Sequence, residues 1–402
     1  MLEIEISYTW GNDDPTFISL VEEFSQQYGV KVNIRRLDWS TAWADLFTMA
    51  SQGQGSDVSS IGSTWVSTLA KLDALRPFKQ NEVAQLGGAE AFTPPAWEST
   101  KLSGDQRIWS IPWIGWMYVI CYRKDVLQEM GINPSKAFDT PESIQETLAA
   151  LQTSPLEICW LNADVPHPYS DLIHTAASWV WAAGGEFMDS SGTKALFDSP
   201  QAINGFSHWL NTYRSVSQEY WQLDVQNCVD LFMEGRATAV LMDIHAANTM
   251  LDAKNAAVPG EKIGFSNLTN TPWSGGGNFV VWKHTQFYPE RERAAIDLVK
   301  FLTRKEASLR SMQEAALLPV RMDALHESYP PDNPLRDVVI FASQNGRAYQ
   351  NVPHWRRVET QLCLELGAAL ADAREHPESD TTTILRTRLE PLARRLNSIL
   401  EK

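Results

Sequence analysis

The chain has 402 residues, enough for two or three compact units. Its 49 acidic and 34 basic side chains leave a net charge of −15, which argues against a nucleic-acid partner and against an anionic membrane surface, since both call for clustered basic groups. A composition of 44% hydrophobic and 21% charged residues, with no low-complexity tract or internal repeat, is that of an ordinary globular protein. No apolar run reaches the roughly 18 residues that span a bilayer. The nearest candidate, residues 111–121, is interrupted by Pro112 and Gly115.

The first third alternates strands and helices. Residues 2–9 alternate like a strand. Asp13 or Asp14 then suits a helix N-cap and Pro15 the first helical position, with Phe17, Leu20, Val21 and Phe24 at helical spacing and Gly29 placed to end the helix. VKVNIRRLDW is a second strand, a helix runs from Ser40 through Met49, and residues 56–65 form a third strand entering another helix. This rhythm predicts a parallel sheet with helices on both faces. Residues 119–260 read as more helical: Thr140-Pro141-Glu142-Ser143 starts one helix, residues 198–216 form another, and residues 229–247 read as a helix ending at Gly235 followed by a buried strand. PWSGGGNFVVW is a glycine cluster leading into a strand, residues 290–303 a charged helix, and residues 354–402 amphipathic helix broken near His376-Pro377.

Ligands of open parallel sheets bind outside the carboxyl ends of the strands. Trp10 ends the first strand, Trp39 the second, Trp65 follows the third, Trp113 and Trp116 lie at the next, and Trp273 precedes the glycine cluster. Core indoles belong in mid-strand or on helix stripes, so this placement points to ligand contact. A pyranose presents an apolar face of C–H groups that an aromatic ring covers, and an edge of hydroxyls that Asp, Asn, Glu and Arg satisfy.

Signals for other chemistry are missing. There is no G-x-S-x-G, H-E-x-x-H or P-loop pattern, and the glycine cluster lacks the Lys of a phosphate loop. A glycosidase needs two carboxylates across a sugar, and no pair is singled out. Cys121, Cys159, Cys228 and Cys363 are widely spaced, without C-x-x-C or a nearby His pair. They read as four reduced, mostly buried thiols, with two disulfides as the alternative. Glu3 and Glu5 follow Met1 where an export signal would carry positive charge and then an apolar block, so the sequence reads either as intracellular or as a mature form.

Several segments in order carry a family likeness: FISLVEEFSQQYGVKVNI, SDVSSIGSTWVSTLAKLDALRPF, IPWIGWMYVICYRKDVLQEMGI, LFMEGRATAVLMD, the glycine cluster, AALLPVRMDAL and NGRAYQNVPHWRRVETQLCLELGAAL. Together they resemble the family-1 extracellular solute-binding proteins of ABC importers, the group that includes maltose- and trehalose-binding proteins. The resemblance covers nearly the whole chain. It implies an α/β fold of two lobes, each a mostly parallel sheet flanked by helices, with the ligand in a cleft at the hinge. The first lobe would be residues 1–112 and 277–325, and the second residues 113–276 and 326–402. Crossings would fall near residues 111–118, 275–277 and 325–330. It also implies an extracytoplasmic monomer without cofactor or metal that captures a mono- or oligosaccharide, closes by hinge motion and delivers it to a membrane permease. The alternative is a sensor with the same fold in a signalling system.

The resemblance places Trp10, Trp39, Trp65, Trp113, Trp116 and Trp273 at the cleft as ring faces. It gives Asn12, Asp13, Asp38, Ser63, Asp243 and Arg347 as partners for hydroxyls, with helix capping the competing role of Asn12 and Asp13, and a structural salt bridge that of Asp243. Gly275 and Gly276 match an aromatic-then-Gly-Gly pattern that would let backbone N–H groups approach a ligand. Some relatives carry an Asp where Gly62 stands and another where Trp116 stands. Both departures make the expected pocket more apolar and point to a ligand different from trehalose or maltose.

Overall fold

Asp14 sets the first corner of the fold. Its carboxylate accepts the Phe17 N–H at 3.0 Å as N-cap of the helix Pro15–Tyr28, and Gly29, at φ 66°, ends that helix. The computed structural model describes residues 1–9, 14–163, 172–221, 223–251 and 257–400. Trp10, Asn12 and Asp13 lie outside the described residues.

Ten strands are present among them: β1 (Leu2–Tyr8), β2 (Val30–Arg36), β3 (Val58–Gly62), β4 (Leu75–Arg76), β5 (Ile111–Arg123), β6 (Ile158–Asn162), β7 (Ala237–Asp243), β8 (Ile263–Asn267), β9 (Ser274–Trp282) and β10 (Leu318–Pro319). The chain divides into two units. Unit 1 holds Met1–Trp116, Ser274–Pro331 and Ala348–Arg356, and unit 2 holds Met117–Trp273, Asp332–Arg347 and Arg357–Lys402. The expected boundaries at 112, 276 and 325 become 116, 273 and 331, and residues 348–356 return to unit 1 instead of staying with the rest of the tail. The short return is held locally: the Thr68 hydroxyl donates to the Pro353 carbonyl at 3.0 Å and the Asn351 amide to the Glu98 carbonyl at 2.8 Å. No hydrophobic periodicity encodes such a segment.

In unit 1, β2, β1 and β3 pair in parallel, as the alternating strand–helix rhythm predicts. β9 joins β3 antiparallel, β4 and the first half of β5 flank β9, and β10 pairs with β5. The two faces of this sheet bury different sets. Ile4, Ile6, Val58, Phe279 and Val281 pack beneath the helices Pro15–Tyr28 and Pro289–Leu302. Ile61, Val280 and Trp282 pack on the other face with Leu46 and Leu69. Alternation along β9 sends residues 279 and 281 one way and 280 and 282 the other. In unit 2, β6 and β7 are parallel, and the second half of β5 runs antiparallel to β7 and β8. Helices Leu172–Ala182 and Pro200–Arg214 bury Trp179, Trp209 and Tyr213 there.

All four cysteines are buried and none forms a disulfide. No helix among the described residues is long and apolar enough to cross a membrane.

Candidate functional site

Unit 1 gathers indoles at the carboxyl ends of its parallel strands. Two residues beyond β2, Asp38 caps the helix Trp39–Gln52, accepting the Ser40 N–H at 2.8 Å. That role engages the carboxylate expected to meet hydroxyls, although Asp38 remains exposed. The cap turns the chain so that Trp39 begins the helix and projects over the end of β3, where its ring stacks on Trp65 with centroids 4.7 Å apart and planes at 24°. Trp65 is buried and Trp39 is 37% exposed, so the pair has one covered ring and one ring partly in water. Ser63 is buried at the start of the intervening turn.

Gly62 makes the stack possible. A Cβ there would stand 3.2 Å from the outer carbon of the Trp39 ring and 3.5 Å from Trp65. Trp43 meets Trp65 edge-on at 5.8 Å, and the Arg356 guanidinium lies 5.5 Å and 5.4 Å from the centres of the Trp43 and Trp65 rings. Charge over a ring face adds a cation–π attraction. The sequence reading missed both residues. Trp43 was findable, because four residues after Trp39 on a helix is the same face. Arg356 belongs to the short return to unit 1 and had no sequence signal.

Trp113 and Trp116 part company. Trp113 is only 4% exposed and sits in the core of unit 1 among Tyr8, Phe17 and Phe279, with ring centroids 5.9, 5.9 and 4.8 Å away. The expectation that it faces a ligand is corrected. Successive strand residues point to opposite faces, so positions three apart do not share one, and only half-buried Trp116 leaves the core side. Gly276 also has another role than the one expected. At φ 144° its missing Cβ would be 2.0 Å from the Ile114 carbonyl oxygen, so glycine here admits the backbone of β5. Gly275 is half-buried in the same strand.

Unit 2 links its expected residues into one chain of contacts. Tyr118 on β5 is in register with Asp243 at the end of β7. The Tyr118 ring lies 5.8 Å from that of Trp273, which stacks on His174 at 4.4 Å and 14°. Trp273 bridges to the Arg347 backbone, and the Arg347 guanidinium sits 4.7 Å over Trp181 while donating to both Glu186 oxygens at 3.0 and 3.1 Å. Trp181 and Glu186 are additions to the expected set. Asp243 is a buried carboxylate that caps the helix Ile244–Leu251, accepting the Ala246 N–H at 2.9 Å. Burial pushes its pKa up, and that one N–H bond and neighbouring His245 only partly oppose the rise. No group of three or more His, Cys, Asp or Glu among the described residues is placed to hold a metal ion.

Unit 1 thus carries an indole platform, and unit 2 carries a buried acid, Asp243, and a ring-stacked, paired arginine, Arg347. Aromatic faces with a few placed polar groups are the general make-up of small-molecule sites. The chain matches, at 18% identity, an ABC-transporter solute-binding protein of Thermotoga lettingae TMO whose structure holds alpha-D-tagatose, with a TM-score of 0.77 and 100% of both chains covered. Maltose-bound MalE3 of T. maritima matches at 21% identity and TM-score 0.76, over 99% of this chain and 100% of that one. A Brucella abortus (strain 2308) protein that bears the name of a putative binding protein is 21% identical over 365 residues, 86% of this chain and 82% of its own. These likenesses agree with the α/β fold of two units. The sequence profile of the bacterial extracellular solute-binding proteins matches residues 19–336, and the chain belongs to that family.

Proposed function

We propose that this protein is the carbohydrate-capturing component of an ABC importer and delivers its sugar to a membrane permease. The observation that carries the reading is the partly exposed ring of Trp39, held flat by its stack on Trp65. A ring braced from behind loses little freedom on binding and matches the C–H face of a pyranose. The family supports an extracellular solute, and structural neighbours whose ligands are tagatose and maltose support a sugar. Asp38 and Ser63 beside the platform, and Asp243 and Arg347 on unit 2, are the proposed partners of hydroxyls. Gly62 and Trp116 favour a ligand with more apolar surface than a site lined by acids would take.

A thermal-shift screen of mono- and oligosaccharides tests this. A sugar that binds only the folded chain raises the melting temperature in proportion to the logarithm of its concentration. If no saccharide in a broad panel does so, and amino acids or peptides do, the carbohydrate reading is wrong.

A further inference from the structure

Arg356 occupies a position that its own helix disfavours. It is the second residue of the helix Trp355–Glu375, Arg357 follows it, and the first turn holds no acid. The amino end of a helix carries a positive partial charge, which repels two guanidinium groups placed there. Arg357 is exposed and screened by water, whereas Arg356 is half-buried. The backbone that presents Arg356 is held within unit 1. The Thr68 hydroxyl donates to the Pro353 carbonyl at 3.0 Å, the Ser103 N–H donates to the Asn351 carbonyl at 2.9 Å, and buried Tyr349 and Trp355 stack at 4.4 Å. Thr68 lies on the helix Val66–Lys71, whose N-cap is Trp65, so this anchor ties the return to the base of the indole platform.

Two rings offset the unfavourable charge. The Arg356 guanidinium lies 5.4 Å from the centre of the Trp65 ring and 5.5 Å from that of Trp43, within the roughly 6 Å reach of a cation–π attraction. One cation thus serves two indoles that meet at 67°. A planar guanidinium matches flat rings in a way that a compact ammonium does not. Trp65 in turn carries Trp39, stacked at 24°. Trp39, Trp43 and Arg356 together therefore set the tilt of the Trp65 ring.

We infer that Arg356 is a positioning residue of the sugar platform. Its guanidinium holds Trp65 and Trp43 in their mutual angle, and Trp65 in that orientation keeps Trp39 flat. The inference rests on the reading of Trp39 as the ring that meets the sugar, and it adds a residue far off in sequence that keeps this ring preformed. A preformed ring costs less on binding than one that must first be ordered.

Circular dichroism of the free protein tests the positioning without a ligand, because two stacked indoles give an exciton couplet. Trp39→Phe identifies the part of the couplet that belongs to this stack. Arg356→Met keeps the length of the side chain and removes its charge and plane, and it should abolish most of that part. Arg356→Lys, the milder change, serves if Arg356→Met does not fold, and its couplet should also fall below the parent's. Arg357→Met removes the same charge from the next residue of the helix and should leave the couplet as in the parent. Thermal melts set a temperature at which each variant is folded. A role in stability alone would lower the melting temperature and leave the couplet untouched. Maltose and alpha-D-tagatose, the ligands of the neighbouring structures, are the probes for isothermal titration. Where the parent binds either, Arg356→Met should weaken it about fivefold or more, and Arg357→Met by less than about twofold. Should the parent bind neither, that result bears on the carbohydrate reading, and the couplet by itself still decides on Arg356. A Trp39-dependent couplet that is unchanged in Arg356→Met, or equally reduced in Arg357→Met, overturns the inference. So does an unaltered affinity of Arg356→Met for a sugar that the parent binds.

Discussion

Trp39 lies flat on Trp65, with ring centres 4.7 Å apart, directly above the bare backbone of Gly62. One missing side chain thereby decides where the exposed indole of unit 1 stands. Removing the open ring while keeping its support should separate binding from stability. Trp39→Ala is expected to weaken sugar binding by about tenfold to a hundredfold, the range of a lost aromatic contact surface. The melting temperature should change little, because the ring is already partly in water. Calorimetric titration and thermal melts of the same samples check both halves.

Gly62→Ala asks the same question from beneath. The new methyl would press on the Trp39 ring at 3.2 Å, so the stack must shift by a few tenths of an ångström. Tryptophan fluorescence should change and sugar affinity should fall severalfold, while the unfolding transition stays cooperative. An unchanged spectrum together with unchanged affinity would show that Gly62 does not set the platform.

Trp113→Ala is expected to act on the fold alone. The residue is packed against Tyr8, Phe17 and Phe279, and truncating a buried Trp costs about 3–5 kcal/mol. Urea unfolding should show this loss. At temperatures where the variant is folded, sugar affinity should match the parent. A weakened affinity in the folded variant would return Trp113 to the binding residues.

Gly276→Ala should be worse than an ordinary glycine replacement in a strand. The added carbon would meet the Ile114 carbonyl oxygen, backbone that has no rotamer to yield, and φ 144° is itself unfavourable for alanine. We expect little soluble protein, or a melting temperature lowered by several degrees. A variant as stable as the parent would mean that β9 has room at this point.

Asp243 yields a pH prediction. Burial raises its carboxyl pKa above the value in the unfolded chain. A raised folded pKa means that the group favours the folded state below the unfolded value, near pH 4, and that this contribution is lost as pH climbs through the folded pKa. Asparagine keeps the oxygen that caps the Ile244–Leu251 helix and does not titrate. The melting temperature of Asp243→Asn relative to the parent should therefore rise between about pH 4 and pH 7. If Asp243 binds hydroxyls, the same variant should lose sugar affinity at neutral pH, a trade of function for stability. A pH-independent difference in melting temperature would contradict the assigned cause.

The elements themselves were largely readable in one dimension. Asp14, one of the two aspartates expected to cap the first helix, and Thr140 before Pro141 with Ser143 following both cap helices where the sequence signals said so, and the helix expected over residues 198–216 runs from Pro200 to Arg214. The strand Val58–Gly62 falls inside the stretch read as a third strand and Ala237–Asp243 inside that read as a buried strand, and the α/β order followed from their alternation with helices. Caps, periodicity and turn residues act over a few neighbours, so a sequence displays them directly.

What each indole does was a matter for tertiary structure. Trp39 follows the carboxyl end of β2 and Trp113 lies near the start of β5, and with the same side chain one is exposed and the other is core. The difference lies in what comes to meet them: Phe279 and Phe17 close over Trp113 until it is 4% exposed, whereas Trp39, stacked on Trp65, stays 37% exposed. Arg347 finds Glu186 and Trp181, and Arg356 finds Trp43 and Trp65, across sequence separations that no local pattern records. Local propensity fixes which elements form, while burial and side-chain contact depend on which distant elements pack together, and only the folded chain sets that.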